Sequence, residues 1–240
     1  KGKGIFEGAG LSYHYFANNW NTTENLLHVK TIWSLPQEVK ENKLGAELNV
    51  LWLNNNRQPL MTTNNQILIQ FFPKAKGKYD WFSYTAGINF NFYNTQVAVG
   101  EIRTNDLDFY VFPEIAIGAE LVRDVLAFFA GWTGDATVNS QYSIGKINPY
   151  ILPAINLMPT RTNRIFAGLE GAVASNISYK LEASLRAVSD MVLYRLSDSI
   201  TTNYDGSDLP AFSPVYVDGG IFQGRGEVTY NAKQTAISGF

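Results

Sequence analysis

Apolar and polar residues alternate along most of the chain. The clearest run covers residues 82–92, and the apolar residues on one of its faces are Phe82, Tyr84, Ala86, Ile88, Phe90 and Phe92. Successive side chains of a strand point to opposite faces, so this run predicts a strand with one apolar and one polar face. Residues 177–187 repeat the pattern with charged residues on the polar face. A helix would scatter those charges around its circumference, so a strand is favoured there too.

The same alternation predicts roughly 12 strands, many near the 9–11 residues that a tilted strand needs to cross a bilayer. Pro113 lies inside one of the longer runs and predicts a bulge or break there. No helix of ordinary length is predicted. The turn-rich stretches between the strands are residues 18–25, 36–43, 54–65, 73–80 and 201–214.

The apolar faces are large and often end in aromatic residues, which favour a membrane–water interface. The predicted interface aromatics are Trp33, Trp52, Trp81, Trp132 and Tyr194. The opposite faces carry charge and would line the interior of a barrel. The pattern therefore predicts an all-β, antiparallel up-and-down transmembrane β-barrel, with residues 1–240 as a single domain in outer-membrane lipid. A secreted soluble β-sandwich that acts as a binding module also alternates and is the less favoured fold.

Composition narrows the function classes. Charged residues make up 17% of the chain, below the roughly 25% of soluble domains. The formal net charge is -2 without any basic cluster, which argues against nucleic acid as a partner. The absence of cysteine excludes disulfides, thiol catalysis and cysteine metal sites. The sequence also has no run of 18 apolar residues that could form a transmembrane helix.

Two regions resemble Bacteroidetes outer-membrane barrels of the kind grouped with TonB-dependent receptors. The first region comprises residues 129–134 (FAGWTG), 139–144 (NSQYSI) and 148–150 (NPY). The second comprises residues 159–163 (PTRTN), 166–171 (FAGLEG) and 177–184 (ISYKLEAS). Full receptors of that family have a barrel of roughly 22 strands and an N-terminal plug. This sequence is too short for both and shows no energy-coupling box. The resemblance therefore implies a smaller relative or part of a longer barrel. Phe240 resembles the terminal aromatic residue of outer-membrane proteins, but the residues before it match the usual alternating terminal signal poorly, and this mismatch favours a truncated barrel.

Charged residues on the polar faces are the most informative set of candidates. They are Glu114, Glu120, Arg164, Glu170, Lys180, Glu182 and Arg186. These lumen-lining residues could form a constriction that selects solutes by charge. They could equally form a salt-bridged interior that fills a narrow barrel. The sequence leaves both interpretations open.

Other candidates carry weaker signals. His14 shares a face with Ser12, but residues two apart on a strand are roughly 7 Å apart, beyond hydrogen bonding. No catalytic residue and no cofactor are therefore expected, and the protein is not expected to be an enzyme. Asn203, Asp205 and Asp208 resemble part of a calcium loop without its later glutamate. They are weak metal candidates, because an ordinary turn also explains them.

Residues 148–159 contain three prolines and are unusually apolar for a loop. This stretch could fold into the barrel interior, dock on a partner or cross the barrel rim. The expected function is passage or uptake of small solutes through an outer-membrane barrel, without chemistry. The alternative is a non-transporting structural or docking barrel whose partners are other outer-membrane subunits.

Overall fold

The computed structural model describes residues 5–18, 21–35, 42–57, 61–123, 125–152, 157–174, 176–197, 201–202, 208–209 and 211–230. The elements in chain order are β1 (Phe6–Ala17), β2 (Thr22–Ser34), β3 (Asn42–Arg57), β4 (Thr62–Tyr79), β5 (Phe82–Val99), β6 (Ile102–Val122), β7 (Leu126–Thr137), α1 (Gln141–Ile147), β8 (Thr160–Ala174), β9 (Ile177–Leu196), β10 (Thr201–Thr202), β11 (Asp208–Leu209) and β12 (Phe212–Tyr230). In this part of the chain, no helix is long and apolar enough to span a membrane.

Ten of these strands form one sheet in the order β1 to β9 followed by β12, and each strand pairs antiparallel with the next. This confirms the predicted all-β, antiparallel up-and-down architecture. The strands are fewer and longer than the sequence predicts. β4 continues to Tyr79 through most of the predicted turn-rich stretch 73–80, and β9 runs without interruption from Ile177 to Leu196. β10 and β11 form only a separate two-residue pair.

The two faces of the sheet are inverted relative to a water-soluble protein. Phe92 and Ile88 are 46% and 45% exposed, whereas Asn91 between them is 0% exposed. Gln66 on β4 and Glu24 on β2 are also buried, at 0% and 1%. The predicted alternation therefore holds in these strands, with apolar side chains outside and polar side chains enclosed.

Helix α1 reveals how strongly the sheet curves. Tyr142 stacks on His14 of β1 with ring centroids 6.1 Å apart, while Tyr194 of β9 donates a hydrogen bond to the carbonyl oxygen of Ile144 at 3.4 Å. β1 and β9 would be about 38 Å apart in a flat sheet, but a helix of this length spans only about 10 Å. The sheet therefore curls around the helix. We call the concave side the inner face and the convex side the outer face.

The sheet opens between β6 and β7. Of the bulge or break predicted at Pro113, no bulge occurs in the ladder with β5, which stays in register through this residue, and a break occurs in the ladder with β7, which stops at the next residue. The β6–β7 ladder, in contrast, runs only from Glu114 to Val122. Beyond Thr133, β7 pairs with β8 alone and turns inward. This explains why Ala136 and Val138, which continue the alternation of the outer face in the sequence, are instead buried in the interior.

The two ends of the sheet differ in their connections. At one end, the tight-turn end, residues 80–81, 123–125 and 175–176 join β4 to β5, β6 to β7 and β8 to β9, and residues 35–41 join β2 to β3. At the other end, the segment end, residues 138–159 join β7 to β8 and residues 197–211 join β9 to β12. The two longest connections thus share one end of the sheet, which also carries the short connections 18–21, 58–61 and 100–101.

Candidate functional site

The connection between β7 and β8 spans residues 138–159, and we call it the inserted segment; its described parts, residues 138–152 and 157–159, fold back onto the inner face. Its helix α1 begins with a capping box, in which the side chains of Ser140 and Ser143 bond to each other's backbone N–H. Ile144, Ile151 and Leu157 form a buried cluster beneath Val192 and Tyr194 of β9. Of the three alternatives for residues 148–159, the described residues follow the first and fold inward.

Glu24 holds the start of α1 against the wall of the sheet. Its carboxylate accepts hydrogen bonds from the backbone N–H of Gln141 at 2.6 Å and of Tyr142 at 3.1 Å. These N–H groups belong to the first turn of the helix, where no carbonyl of the helix itself is available to them. A carboxylate there also interacts favourably with the helix dipole. Glu24 therefore joins β2 to the first turn of the inserted segment through two hydrogen bonds, and we call this residue the latch.

The far end of the inserted segment is held by three other strands. The carbonyl oxygen of Leu157 accepts hydrogen bonds from Gln66 of β4 at 2.9 Å and from Tyr93 of β5 at 3.4 Å. The backbone N–H of Met158 donates to the hydroxyl of Tyr216 on β12 at 3.0 Å. Contacts on β2, β4, β5, β9 and β12 together fix the segment across the segment end of the sheet.

The position of Tyr194 differs from the sequence prediction. It was expected among the aromatics of a membrane interface, but its side chain packs on the inner face against Ile144. The reason is that the inserted segment supplies an apolar surface inside the sheet, which the sequence pattern does not reveal. Trp52, Trp81 and Trp132 are 36%, 60% and 45% exposed. Trp33 is partly exposed and, through its strand register, shares the outer face with Trp52.

A polar cavity of about 580 Å³ lies on the inner face next to the inserted segment. We call it the chamber. Four of its residues follow one another across the sheet, because Glu114 is opposite Thr133, Thr133 opposite Arg164, and Arg164 opposite Arg186. The remaining lining residues are Asn49, Gln70, Phe72, Asn89, Gly134, Asp135, Thr137 and Thr162.

The charges of the chamber are arranged by sign. Asp135 lies where β7 turns inward, and its carboxylate accepts hydrogen bonds from Gln70 at 2.6 Å and Asn89 at 3.3 Å. Arg164 pairs with Glu182 and lies over the ring of Phe166 at 4.9 Å. The carboxylates therefore come from β6 and β7 and the guanidinium groups from β8 and β9.

A chain of ion pairs occupies the neighbouring strands. Glu47 of β3 pairs with Lys30 of β2 at 3.1 Å and with Lys74 of β4. Both partners of the Glu47–Lys74 pair are largely enclosed, with side chains only 17% exposed. Such a pair fixes neighbouring strands at this level of the inner face, because breaking it would leave a buried charge unpaired.

The seven charged residues predicted to line the interior separate into two groups. Glu114, Arg164 and Arg186 line the chamber, and Glu182 pairs with Arg164 beside it. The other three, Glu120, Glu170 and Lys180, line a second cavity of about 410 Å³ near the tight-turn end. There Lys180 pairs with Glu170 at 2.9 Å. The described residues thus combine features of both interpretations, a charged chamber and internal salt bridges.

The calcium-loop candidates stay a prediction from the sequence. Asn203 and Asp205 lie outside the described residues, and Asp208 is described only through its backbone pairing with Thr202. Within the described ranges, no group of three or more histidine, aspartate or glutamate residues could hold a metal ion. The sequence interpretation missed Asp135, Gln70 and Glu24. Asp135 does alternate with Thr133 on the polar face of β7, and that was the available signal.

Comparison with known proteins gives the fold a context. No protein-family model and no curated protein matches the sequence. Among solved structures, the chain is similar to the copper transporter OprC, with a TM-score of 0.59 and 10% identity over 89% of this chain and 36% of that one. It is also similar to the alcaligin outer membrane receptor FauA from Bordetella pertussis, with a TM-score of 0.51 and 10% identity over 87% and 36%. The chain spans about a third of the length of these proteins. At 10% identity, the similarity shows a shared fold and nothing more.

Proposed function

We propose that the protein forms an outer-membrane barrel wall for the passage or uptake of small solutes, without chemistry of its own. The observation that carries the proposal is the chamber, a polar cavity enclosed by a sheet whose outer face is apolar. The likeness to a copper transporter and an outer membrane receptor supports it. The proposal includes kinship with the TonB-dependent receptor-like barrels of Bacteroidetes.

Ion conductance across a planar bilayer tests this function. The full chain, folded in detergent, should insert and give discrete conductance steps, because the chamber offers water a polar path along the inner face. Heat-dependent mobility on an SDS gel verifies the folded state before each measurement, and the same sample after boiling is the control. Folded protein that inserts but stays silent would contradict passage.

Charge substitutions in the two cavities should change ion selectivity by different amounts. Arg186→Ala removes a cation that faces Glu114 and Asp135 across the chamber, so the reversal potential in a salt gradient should shift toward cation preference. Lys180→Ala should shift it less, because Lys180 already pairs with Glu170 and has a side chain that is 45% exposed. Equal reversal potentials for Arg186→Ala and the unaltered protein would remove Arg186 from the solute path.

A second candidate, a docking or structural barrel subunit, is favoured by a different observation. β1 and β12 are the two edges of the ten-stranded sheet, and within that sheet each pairs with one neighbour only, although Phe212 at the start of β12 also bridges to Ile151 of the inserted segment. An unpaired edge cannot remain in lipid, since its N–H and C=O groups would be unsatisfied. Strands that cover these edges could belong to other outer-membrane subunits. A silent, folded protein that co-purifies with such subunits would favour this candidate over passage.

A further inference from the structure

The chamber contains two arginine residues whose placement is unusual. Arg164 and Arg186 are direct cross-strand partners on β8 and β9, and both line the chamber. Like charges directly opposite each other destabilise a sheet. Glu182 pairs with Arg164, but no carboxylate among the described residues forms an ion pair with Arg186. One guanidinium therefore remains available to an anionic group inside the chamber.

The opposite side of the chamber has the complementary feature. Neither Glu114 nor Asp135 forms an ion pair with a cation in the described part of the chain. Amide groups alone hold Asp135, and Glu114 is on the same cross-strand row as the arginines, with Thr133 of β7 between it and Arg164. Two carboxylates that form no ion pair can bind an ammonium group.

We infer that the chamber binds small zwitterions that carry an ammonium group and a carboxylate, of amino-acid or dipeptide size. The ligand carboxylate binds Arg186 beside Arg164, and the ligand ammonium group binds Glu114 and Asp135. This inference rests on the proposed function and specifies the class of solute.

The size and the remaining lining of the chamber agree with such a ligand. About 580 Å³ falls within the roughly 300–1,000 Å³ of small-molecule sites. The side-chain oxygens Asn49 Oδ1 and Asn89 Oδ1, both in the wall of the chamber, accept no hydrogen bond from the described residues. A backbone amide of a dipeptide could donate to either oxygen after a small side-chain rotation. A ligand with one charge would leave one side of the chamber unsatisfied.

Titration calorimetry on the folded full chain in detergent tests the inference with three matched probes. Glycylglycine carries both charges, N-acetylglycylglycine only the negative one, and glycylglycinamide only the positive one. We expect glycylglycine to bind at least about tenfold more tightly than either analogue, because each analogue loses one charge-assisted contact. Equal affinity for all three probes, or no heat of binding for glycylglycine, would overturn the inference.

Variants separate the two ends of the site. Arg186→Gln should weaken glycylglycine and leave glycylglycinamide unchanged, whereas Glu114→Gln should weaken glycylglycine and leave N-acetylglycylglycine unchanged. Arg186→Lys keeps the positive charge and should restore most of the affinity, which controls for a folding defect. Lys180→Gln alters the second cavity and should leave the affinity for glycylglycine unchanged. An affinity that falls equally in Lys180→Gln and Arg186→Gln would contradict a site in the chamber.

The binding and conductance measurements can contradict the ligand class and the passage of solutes separately. Glycylglycine binding by a protein that is silent in bilayers would keep the ligand class and remove passage. Conductance steps without any glycylglycine binding would keep passage and remove the ligand class.

Discussion

Replacing Glu24 by alanine should release the inserted segment from the wall of the sheet and raise the conductance of the protein. The substitution leaves the N–H groups of Gln141 and Tyr142 without their acceptor. Each buried donor left unsatisfied costs about 1–3 kcal/mol. Since about 1.4 kcal/mol corresponds to a factor of ten, the population with an undocked segment should rise at least about tenfold. The open channel should then appear longer and more often in single-channel records.

Two controls isolate the role of the latch. Glu24→Gln retains one carbonyl oxygen that can accept an N–H bond and should cause a smaller change. Glu101→Ala removes a carboxylate from the exposed turn between β5 and β6 at the same end and should have no effect. Amide exchange at Gln141 and Tyr142 reports release directly, without reference to conductance. Slow exchange of both amides in Glu24→Ala would show that the other contacts hold the segment by themselves.

Gly171→Ala should destabilise the folded sheet. A Cβ at this position would overlap the carbonyl oxygen of Val125 and lie 2.7 Å from the carbonyl carbon of the same residue. Both atoms are backbone, so no side-chain rotation can relieve the overlap, and the start of β7 must shift. Forcing an extra carbon into a packed site typically costs about 1–3 kcal/mol. The urea concentration at which the heat-modifiable band is lost should fall accordingly.

The chain offers a matched control for this substitution. A Cβ at Gly220 on β12 would meet nothing within 4 Å. Gly220→Ala should therefore be neutral, or stabilising by about 0.4–1 kcal/mol through the lower entropy of the unfolded chain. If the two variants lost the heat-modifiable band at the same urea concentration, the close approach of β7 and β8 at Gly171 would not exist in the folded protein.

The alternation of side chains was predictable from the sequence because it is a local property. Residues such as Phe92 and Asn91 take opposite faces whichever strands lie beside them. The sequence also predicted that residues like Arg186 face the interior. What it did not predict was the cross-strand row that brings Glu114 and Arg186 into one chamber. That row depends on the register of four strands, and register is decided by pairing over long distances.

The inserted segment escaped prediction for a related reason. Helix α1 has seven residues, too few to be stable from helix propensity alone. Its first turn is completed by Glu24, which is 117 residues earlier in the chain. The inward turn of β7 likewise depends on the end of its ladder with β6 at Glu114. Tertiary contacts such as these leave no period in the sequence, so alternation alone does not predict that Ala136 is buried in the interior or that Tyr194 packs on the inner face.

The connections at the two ends of the sheet differ in length, and this difference bears on which end would cross a bilayer first. If the protein enters a bilayer, the connections at one end must cross the hydrocarbon region. Each backbone N–H or C=O group without a hydrogen bond there raises the free energy of that step. The tight-turn end carries the turns at residues 80–81, 123–125 and 175–176 and the seven-residue connection 35–41 between β2 and β3. The segment end would have to carry residues 138–159 and 197–211 across. Insertion with the tight-turn end in front would therefore carry less backbone through the hydrocarbon than insertion with the segment end in front.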